Sequence, residues 1–332
     1  MRAVVARGYG GPEVLAVEEV PEPRPGPGQL QVRIRATALN PADLRTLSGV
    51  LRDLTPLTFP HVPGSDFAGT VTELGAGVGG YHPGDEVFGV ALPRATGRMA
   101  SMLSDPPSLT TGTMAEYAVF EADTPAITRR PVGLDPARAA SLPIAGLTAL
   151  ALTRALPPAD ADGATVLVLG AAGGVGGAAV PLLAAAGAQV IATGIPADER
   201  YLRGLGAAEV VDHRAVDPVA ETLRRYPDGI DTLVNLALPG PALVAASRVL
   251  RPGGRLLSAA FPSPDPALFA AGLTLATVYA TAGPGDLALL ARSALDGLLP
   301  DTIGRRYRLD RAPVGYADLV DRHVRGKFVV TP

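Results

Sequence analysis

Residues 165–177 read TVLVLGAAGGVGG, and this run restricts the possible folds more than any other part of the chain. Val166, Leu167 and Val168 have the composition of a buried parallel strand. The strand leads into Gly170, Ala171, Ala172, Gly173, Gly174, Val175 and Gly176, then into an alanine-rich helical stretch, 178–186. Strand, glycine turn and helix in that order form the first βα unit of a dinucleotide-binding sheet. The glycines permit a tight turn and a close backbone approach to a pyrophosphate. The helix N-terminus adds free N–H groups and partial positive charge. A second strand, 188–193, follows at the spacing that such a unit requires. The plainer alternative is a glycine-rich turn in another α/β protein.

The surroundings of this unit divide in two. In residues 29–36 the apolar side chains fall at every second position, the mark of a half-buried strand, and the Pro/Gly run 21–28 before it is a connector. Residues 67–74 and 85–90 read as further short strands, separated by glycine turns at 75–80. From about 136 the pattern changes to helices at 137–156, 201–205, 218–225 and 242–250, alternating with strands at 166–169, 190–193, 210–211, 232–235 and 255–259. That alternation predicts a doubly wound parallel sheet. The end of the chain reads helix, strand, helix, strand and returns to the first domain. The expected boundaries are 1–123 for the first part of a β-rich catalytic domain, 124–282 for the dinucleotide domain and 283–332 for the return. Pro181 falls inside the helix after the glycine turn, where it should kink it.

Charge and composition narrow the partners. A net charge of −3 and a pI near 5.8 give no reason to expect nucleic acid or an anionic membrane. No apolar run approaches the roughly 20 residues of a membrane helix, and the first residues lack the pattern of a secretory leader. With no cysteine there is no disulfide framework and no thiolate ligand for zinc. The expected location is the cytoplasm. His61, His82, His213 and His323 are scattered, with no metal-ligand spacing.

Several short motifs occur in a fixed order: Asn40-Pro-Ala-Asp43, then FPHVPGSDFAGT over 59–70, GDEVFG over 84–89, GTMAEY over 112–117, the glycine turn, Leu205-Gly-Ala207 and Gly326-Lys327. As a set, spanning nearly the whole chain, they resemble the zinc-independent quinone oxidoreductase and enoyl reductase branch of the medium-chain dehydrogenase/reductase superfamily. The resemblance implies an α/β fold in which a GroES-like β-rich catalytic domain is interrupted by a Rossmann domain. It also implies a homodimer joined through the Rossmann edge strand, for which the apolar run 273–280 is the candidate. Zinc-using relatives carry a cysteine where this chain has Asn40-Pro41 and Gly-His-Glu where it has Gly64-Ser65-Asp66. Catalysis without a metal is therefore expected.

The second strand ends at Thr193-Gly194, where an NAD site places an acid on the ribose hydroxyls. The missing acid leaves room for a 2′-phosphate, so NADPH is expected over NADH; the resemblance implies Tyr201 beside that phosphate, and Arg200 is either a cation for it or a solvated helix-start arginine. Against this stands Asp198, near the position of a family lysine. Similarity to the family puts Asn40 at the active-site floor near the nicotinamide ribose, Thr148 near the nicotinamide, and Asn235 and Lys327 on the cofactor side. Lys327 is the single lysine among 29 cationic residues, which makes its place in the Gly-Lys motif notable. Asp43, Ser65 and Asp66 are candidates for catalysis. Their plainer roles are a helix N-cap for Asp43 and turn chemistry for the other two.

The implied reaction is hydride transfer from NADPH to an activated C=C bond of an enone or enoyl substrate, or to a quinone. The alternative is a non-catalytic NADPH-binding protein, or a biosynthetic scaffold without redox activity. Many relatives carry a proton-donating tyrosine after the Asn-Pro motif, but residues 40–63 contain none. Water is then the expected proton source, or the product is a hydroquinone that needs no carbon protonation. The long segment 92–112, with Met99 and Met102, is expected either to shape the substrate pocket or to be a plain surface excursion.

Overall fold

The computed structural model describes residues 1–53, 55–91, 112–156, 158–260, 263–321, 323 and 325–332. The expected pocket-shaping segment lies outside the described residues, apart from Gly112. The chain forms two compact units, one of Met1–Ile144, Thr281–Asp296 and Asp301–Pro332, the other of Ala145–Ala280 and Gly297–Pro300.

The first unit is built on β3 (Gln29–Ala38), a strand of 10 residues in which exposed Arg33 and Arg35 alternate with buried Val32, Ile34 and Ala36. A hairpin of β1 (Arg2–Ala6) and β2 (Leu15–Glu19), unforeseen in the sequence, forms a small sheet of its own. β4 (Asp66–Leu74), β5 (Glu86–Val90), β6 (Tyr117–Glu121) and β7 (Ile127–Arg129) complete the amino-terminal strands. β14 (Ile303–Arg308) and β15 (Lys327–Thr331) come from the end of the chain, giving the order β14-β15-β3-β4-β5-β7 with β6 also on β3. Phe67 stacks on Phe120 at 4.2 Å between ring centres, inside a cluster with Leu30, Val32 and Val87. Burying a side chain of this size contributes about 1.5–3 kcal/mol.

The second unit carries β8 (Thr165–Leu169), β9 (Gln189–Gly194), β10 (Glu209–Asp212), β11 (Ile230–Asn235), β12 (Leu250–Ser258) and β13 (Thr274–Thr277). All pairings in this sheet are parallel, in the order β10-β9-β8-β11-β12-β13. Numbered from β8, that is the 3-2-1-4-5-6 order of a Rossmann sheet, with its topological switch between β8 and β11. β8 is buried along its whole length, as its composition predicts.

Three elements differ from expectation. The helix read at 137–156 is two helices, Pro136–Ser141 and Pro143–Ala155, because Pro143 has no N–H to continue the first and suits the start of the next. The helix Gly174–Ala185 runs on through Pro181, which is buried; the burial of Val180, Pro181 and Leu183 outweighs the one hydrogen bond proline removes. The edge strand read at 273–280 is ordered as a strand only over Thr274–Thr277.

Candidate active site

In the second unit the glycines of the βα turn divide the work. Gly170 has φ +83°, a conformation that side chains disfavour, and it turns the chain out of β8. A Cβ on Gly176 would lie 2.1 Å from the Ala171 carbonyl oxygen, so only glycine lets the helix pack this close. A Cβ on Gly173 would find just the Gly170 carbonyl oxygen, at 3.5 Å, so that backbone faces open space. The helix beginning at Gly174 has no side-chain cap, and its first-turn N–H groups suit an anion. Ala171 and Val175 complete the turn. These features fit a dinucleotide pyrophosphate.

Thr193, at the end of β9, accepts a hydrogen bond from the Gly170 N–H at 3.0 Å and donates to the Val168 carbonyl at 3.2 Å. It ties the glycine turn to the second strand. Gly194 lies so close to Leu202 and Asp198 that a Cβ would meet the leucine at 2.6 Å. Asp198 is buried and accepts from the Ile195 N–H at 3.1 Å. Arg200 is exposed and Tyr201 half-buried on the helix Glu199–Gly204 that follows. Asn235, fully buried at the end of β11, donates to the Leu238 carbonyl and Ser258 Oγ and accepts from the N–H groups of Ala237 and Leu238. Its side chain shapes the 236–238 turn. Thr148 is buried in the helix Pro143–Ala155.

In the first unit the remaining candidates meet, because three strand ends converge. Ala38 at the end of β3 pairs with Asp66 at the start of β4 and with Val329 of β15. Asn40 follows β3, and Lys327 opens β15. The Lys327 ammonium donates to Asn40 Oδ1 at 2.6 Å, to Asp66 Oδ2 at 2.9 Å and to the Leu39 carbonyl at 3.4 Å. Its three protons are thereby all engaged, in a buried ion pair that the sequence reading did not foresee. Asn40 Nδ2 also donates to Asp66 Oδ2 at 3.0 Å, and the Ile144 N–H donates to Asp66 Oδ1 at 2.8 Å. Asp66 is completely buried.

Asp43 belongs to the same cluster but not as an N-cap. The helix is Pro41–Leu47, its N-cap is Asn40, and Asp43 Oδ2 accepts from the Asn40 N–H at 3.0 Å. The same oxygen accepts from Tyr316 Oη at 3.1 Å, while Asp43 Oδ1 accepts from Ser65 Oγ at 3.0 Å. Burial raises the Asp43 carboxyl to about 6, and the nearby Asp66 adds to the rise. The Asn40 N–H, the Ser65 hydroxyl and the Lys327 ammonium pull the other way. Burial, and then the Asp43 carboxylate, push the Tyr316 phenol well above its ordinary value, so it keeps its proton. Ser65 alone in this cluster is half-exposed. Reading the sequence missed Tyr316, whose partner lies 273 residues away, a separation no local pattern reports.

The donor set does not suit a metal ion. Asp66 Oδ2 already faces an ammonium and an amide, and a dication placed there would be repelled by Lys327. Among the described residues no three His, Asp or Glu side chains are grouped to hold a metal.

Residues 26–129 match the alcohol dehydrogenase GroES-like domain family, and residues 174–281 match the zinc-binding dehydrogenase family. Over the full chain, the sequence is 31% identical to a chloroplast envelope quinone oxidoreductase homolog of Arabidopsis thaliana, covering 98% of that protein. The chain belongs to the quinone oxidoreductase branch of the medium-chain dehydrogenase/reductase superfamily. It is also 31% identical to an NADPH-dependent alkenal/one oxidoreductase of Arabidopsis thaliana, over 78% of this chain and 62% of that one. A solved quinone oxidoreductase from Coxiella burnetii superposes with a TM-score of 0.84 at 27% identity, covering 100% of this chain and 99% of that one. As a member of this branch the protein is an oxidoreductase, with the GroES-like and Rossmann architecture that the motifs predicted. The second matched family is named for zinc binding, and this chain has no cysteine to offer as a thiolate ligand.

Proposed function

We propose that the protein is an NADPH-dependent reductase of activated C=C bonds or quinones that works without zinc. The observation carrying this reading is the buried Asp66–Lys327 pair, which ties together the Asn40 and Gly64–Asp66 motifs that stand where zinc-using relatives carry Cys and Gly-His-Glu. A neutral, fully hydrogen-bonded pair there leaves no Lewis acid to polarise a substrate. When bound, the reduced nicotinamide supplies a hydride and its two electrons. The chain's own part is to seat the pyrophosphate over Gly173 and the helix start, and to hold Asn40 rigidly through Lys327. It also places hydroxyl donors at the developing negative charge. Lys327 is in this reading a positioning residue. Ser65, the only half-buried member of the polar cluster, is the group open to substrate, and Thr148, Gly170–Gly176, Gly194, Arg200 and Tyr201 serve the cofactor.

Two measurements test this. NADPH oxidation is followed with quinones, α,β-unsaturated ketones, aldehydes and acyl thioesters, and turnover with at least one class is expected. Intact NADPH binding with no turnover on any of them favours the non-catalytic alternative. Because no acid stands at Thr193-Gly194, NADPH should bind at least tenfold tighter than NADH (about 1.4 kcal/mol) by fluorescence titration. Arg200→Ala should weaken NADPH alone. Equal affinities for the two cofactors would defeat the 2′-phosphate assignment.

A further inference from the structure

Five of the six polar groups in the first-unit cluster are sealed from solvent. Asn40, Asp43, Asp66, Tyr316 and Lys327 are each no more than 8% exposed. Ser65 alone is only half-buried. The hydrogen bonds on Asp43 are also unequal. Oδ2 receives two donors, the Asn40 N–H and the Tyr316 hydroxyl, which fill its lone pairs. Oδ1 receives only the Ser65 hydroxyl. A proton added to this carboxylate therefore goes to Oδ1, the oxygen that faces Ser65. Once it is there, the hydrogen bond reverses: Asp43 donates to Ser65 Oγ, and the serine's own hydrogen turns toward solvent.

We propose that Ser65 is the catalytic proton donor of the reductase and that Asp43 Oδ1 reloads it, with Tyr316 a positioning residue that directs the proton to that oxygen. This rests on the reductase reading above. After hydride has reached the β-carbon of an activated alkene, the substrate is an enolate. Its α-carbon forms a C–H bond with the proton of Ser65 Oγ as the Ser65 O–H bond breaks. The Asp43 Oδ1–H proton passes to Ser65 Oγ in the same event, leaving a carboxylate. Water reprotonates that carboxylate before the next turnover, so each cycle uses two electrons as hydride and one proton from water.

The relay is loaded only while Asp43 is protonated. Its carboxyl, raised by burial to about 6, is loaded below that pH and empties as pH rises through it. The titratable groups facing it are Asp66 on β4, Lys327 on β15 and Tyr316 on the helix Ala312–Asp321. With an alkene substrate, kcat should be flat below pH 6 and fall toward tenfold per unit above it.

The test combines kinetics with infrared titration. Ser65→Ala, which removes only a half-exposed hydroxyl, should lower kcat for an α,β-unsaturated ketone about a hundredfold. KM and NADPH affinity should stay within a few-fold, and Ser65→Thr should recover most of the loss. In the wild type, a protonated-carboxyl stretch should appear as pH falls through 6, be missing in Asp43→Asn, and titrate at higher pH in Tyr316→Phe, where Oδ2 has lost a donor. The relay is overturned by a wild-type kcat that does not fall above pH 6, by Ser65→Ala retaining a third or more of kcat, or by an Asp43→Asn infrared titration identical to the wild type. If the wild type reduces no alkene or quinone at all, it is the reductase reading that fails; the infrared titration would still show whether Asp43 carries the proton.

Discussion

Lys327 shows how one side chain's role depends on what lies opposite it. Its rarity in an arginine-rich chain marked it out, yet rarity says nothing about its partner. In the fold it neutralises Asp66, whose carboxylate has no exposure at all. Removing one member of a buried pair leaves the other charge uncompensated, at a cost of about 3–5 kcal/mol. Lys327→Met should therefore lower unfolding stability by that order in urea denaturation, and adding Asp66→Leu should restore much of it. A Lys327→Met loss below about 1 kcal/mol would mean that Asp66 tolerates solitary burial, contrary to this account. Asp43 teaches the same lesson. Aspartate before a helix reads locally as an N-cap. The cap is Asn40, and Asp43 sits in the first turn, where it binds the Asn40 N–H and two side-chain hydroxyls.

Within the βα unit the glycines are legible from spacing alone, since each job (turn, close approach, helix packing) belongs to a set position. They differ in what a methyl group would do. Gly176→Ala drives a Cβ into the Ala171 carbonyl oxygen and should displace the turn, lowering both stability and NADPH affinity. Gly173→Ala meets nothing nearer than 3.5 Å and has φ −76°, so the fold should accept it. NADPH affinity should still drop tenfold or more, because the methyl occupies the space that the pyrophosphate needs. Thermal unfolding together with NADPH titration separates the two variants. Normal NADPH binding by a well-folded Gly173→Ala would remove the pyrophosphate from this turn. Element ends were less legible. Pro143 divides a continuous apolar run into two helices, and the strand read at 273–280 keeps its ladder only where β12 offers partners, at Arg255–Ser258.

β13 ends the Rossmann sheet and is at most half-buried, and an open apolar edge is a pairing hazard unless it is covered. A second copy joined edge to edge is the arrangement expected of the family, so the protein should be a homodimer by light scattering. Thr274 on this edge and Tyr279 just beyond it are exposed. Giving both the same charge, as Thr274→Glu with Tyr279→Glu, should give monomers that still bind NADPH. A wild type that is monomeric at micromolar concentration, or a charged variant that stays dimeric, would place the interface elsewhere. Among the described residues no helix is long and apolar enough to cross a membrane.

Local order along the chain was enough for the Rossmann unit. A strand, its glycine turn and its helix are neighbours in sequence, so their periodicity and composition carry the information directly, and the order of the later strands follows from their alternation with helices. The ordered motifs likewise reached the GroES-like half and the family. The contents of the polar cluster were not available by that route. Asn40 and Asp66 were recognised as candidates, but their union with Lys327, and that of Asp43 with Tyr316, joins residues separated by more than 260 positions along the chain. Those contacts exist because β15 returns to lie antiparallel on β3 and because the helix Ala312–Asp321 packs on Pro41–Leu47. The donors brought together there decide which oxygen of Asp43 can take a proton and give all three lysine protons a partner, and those donors meet only in the folded chain.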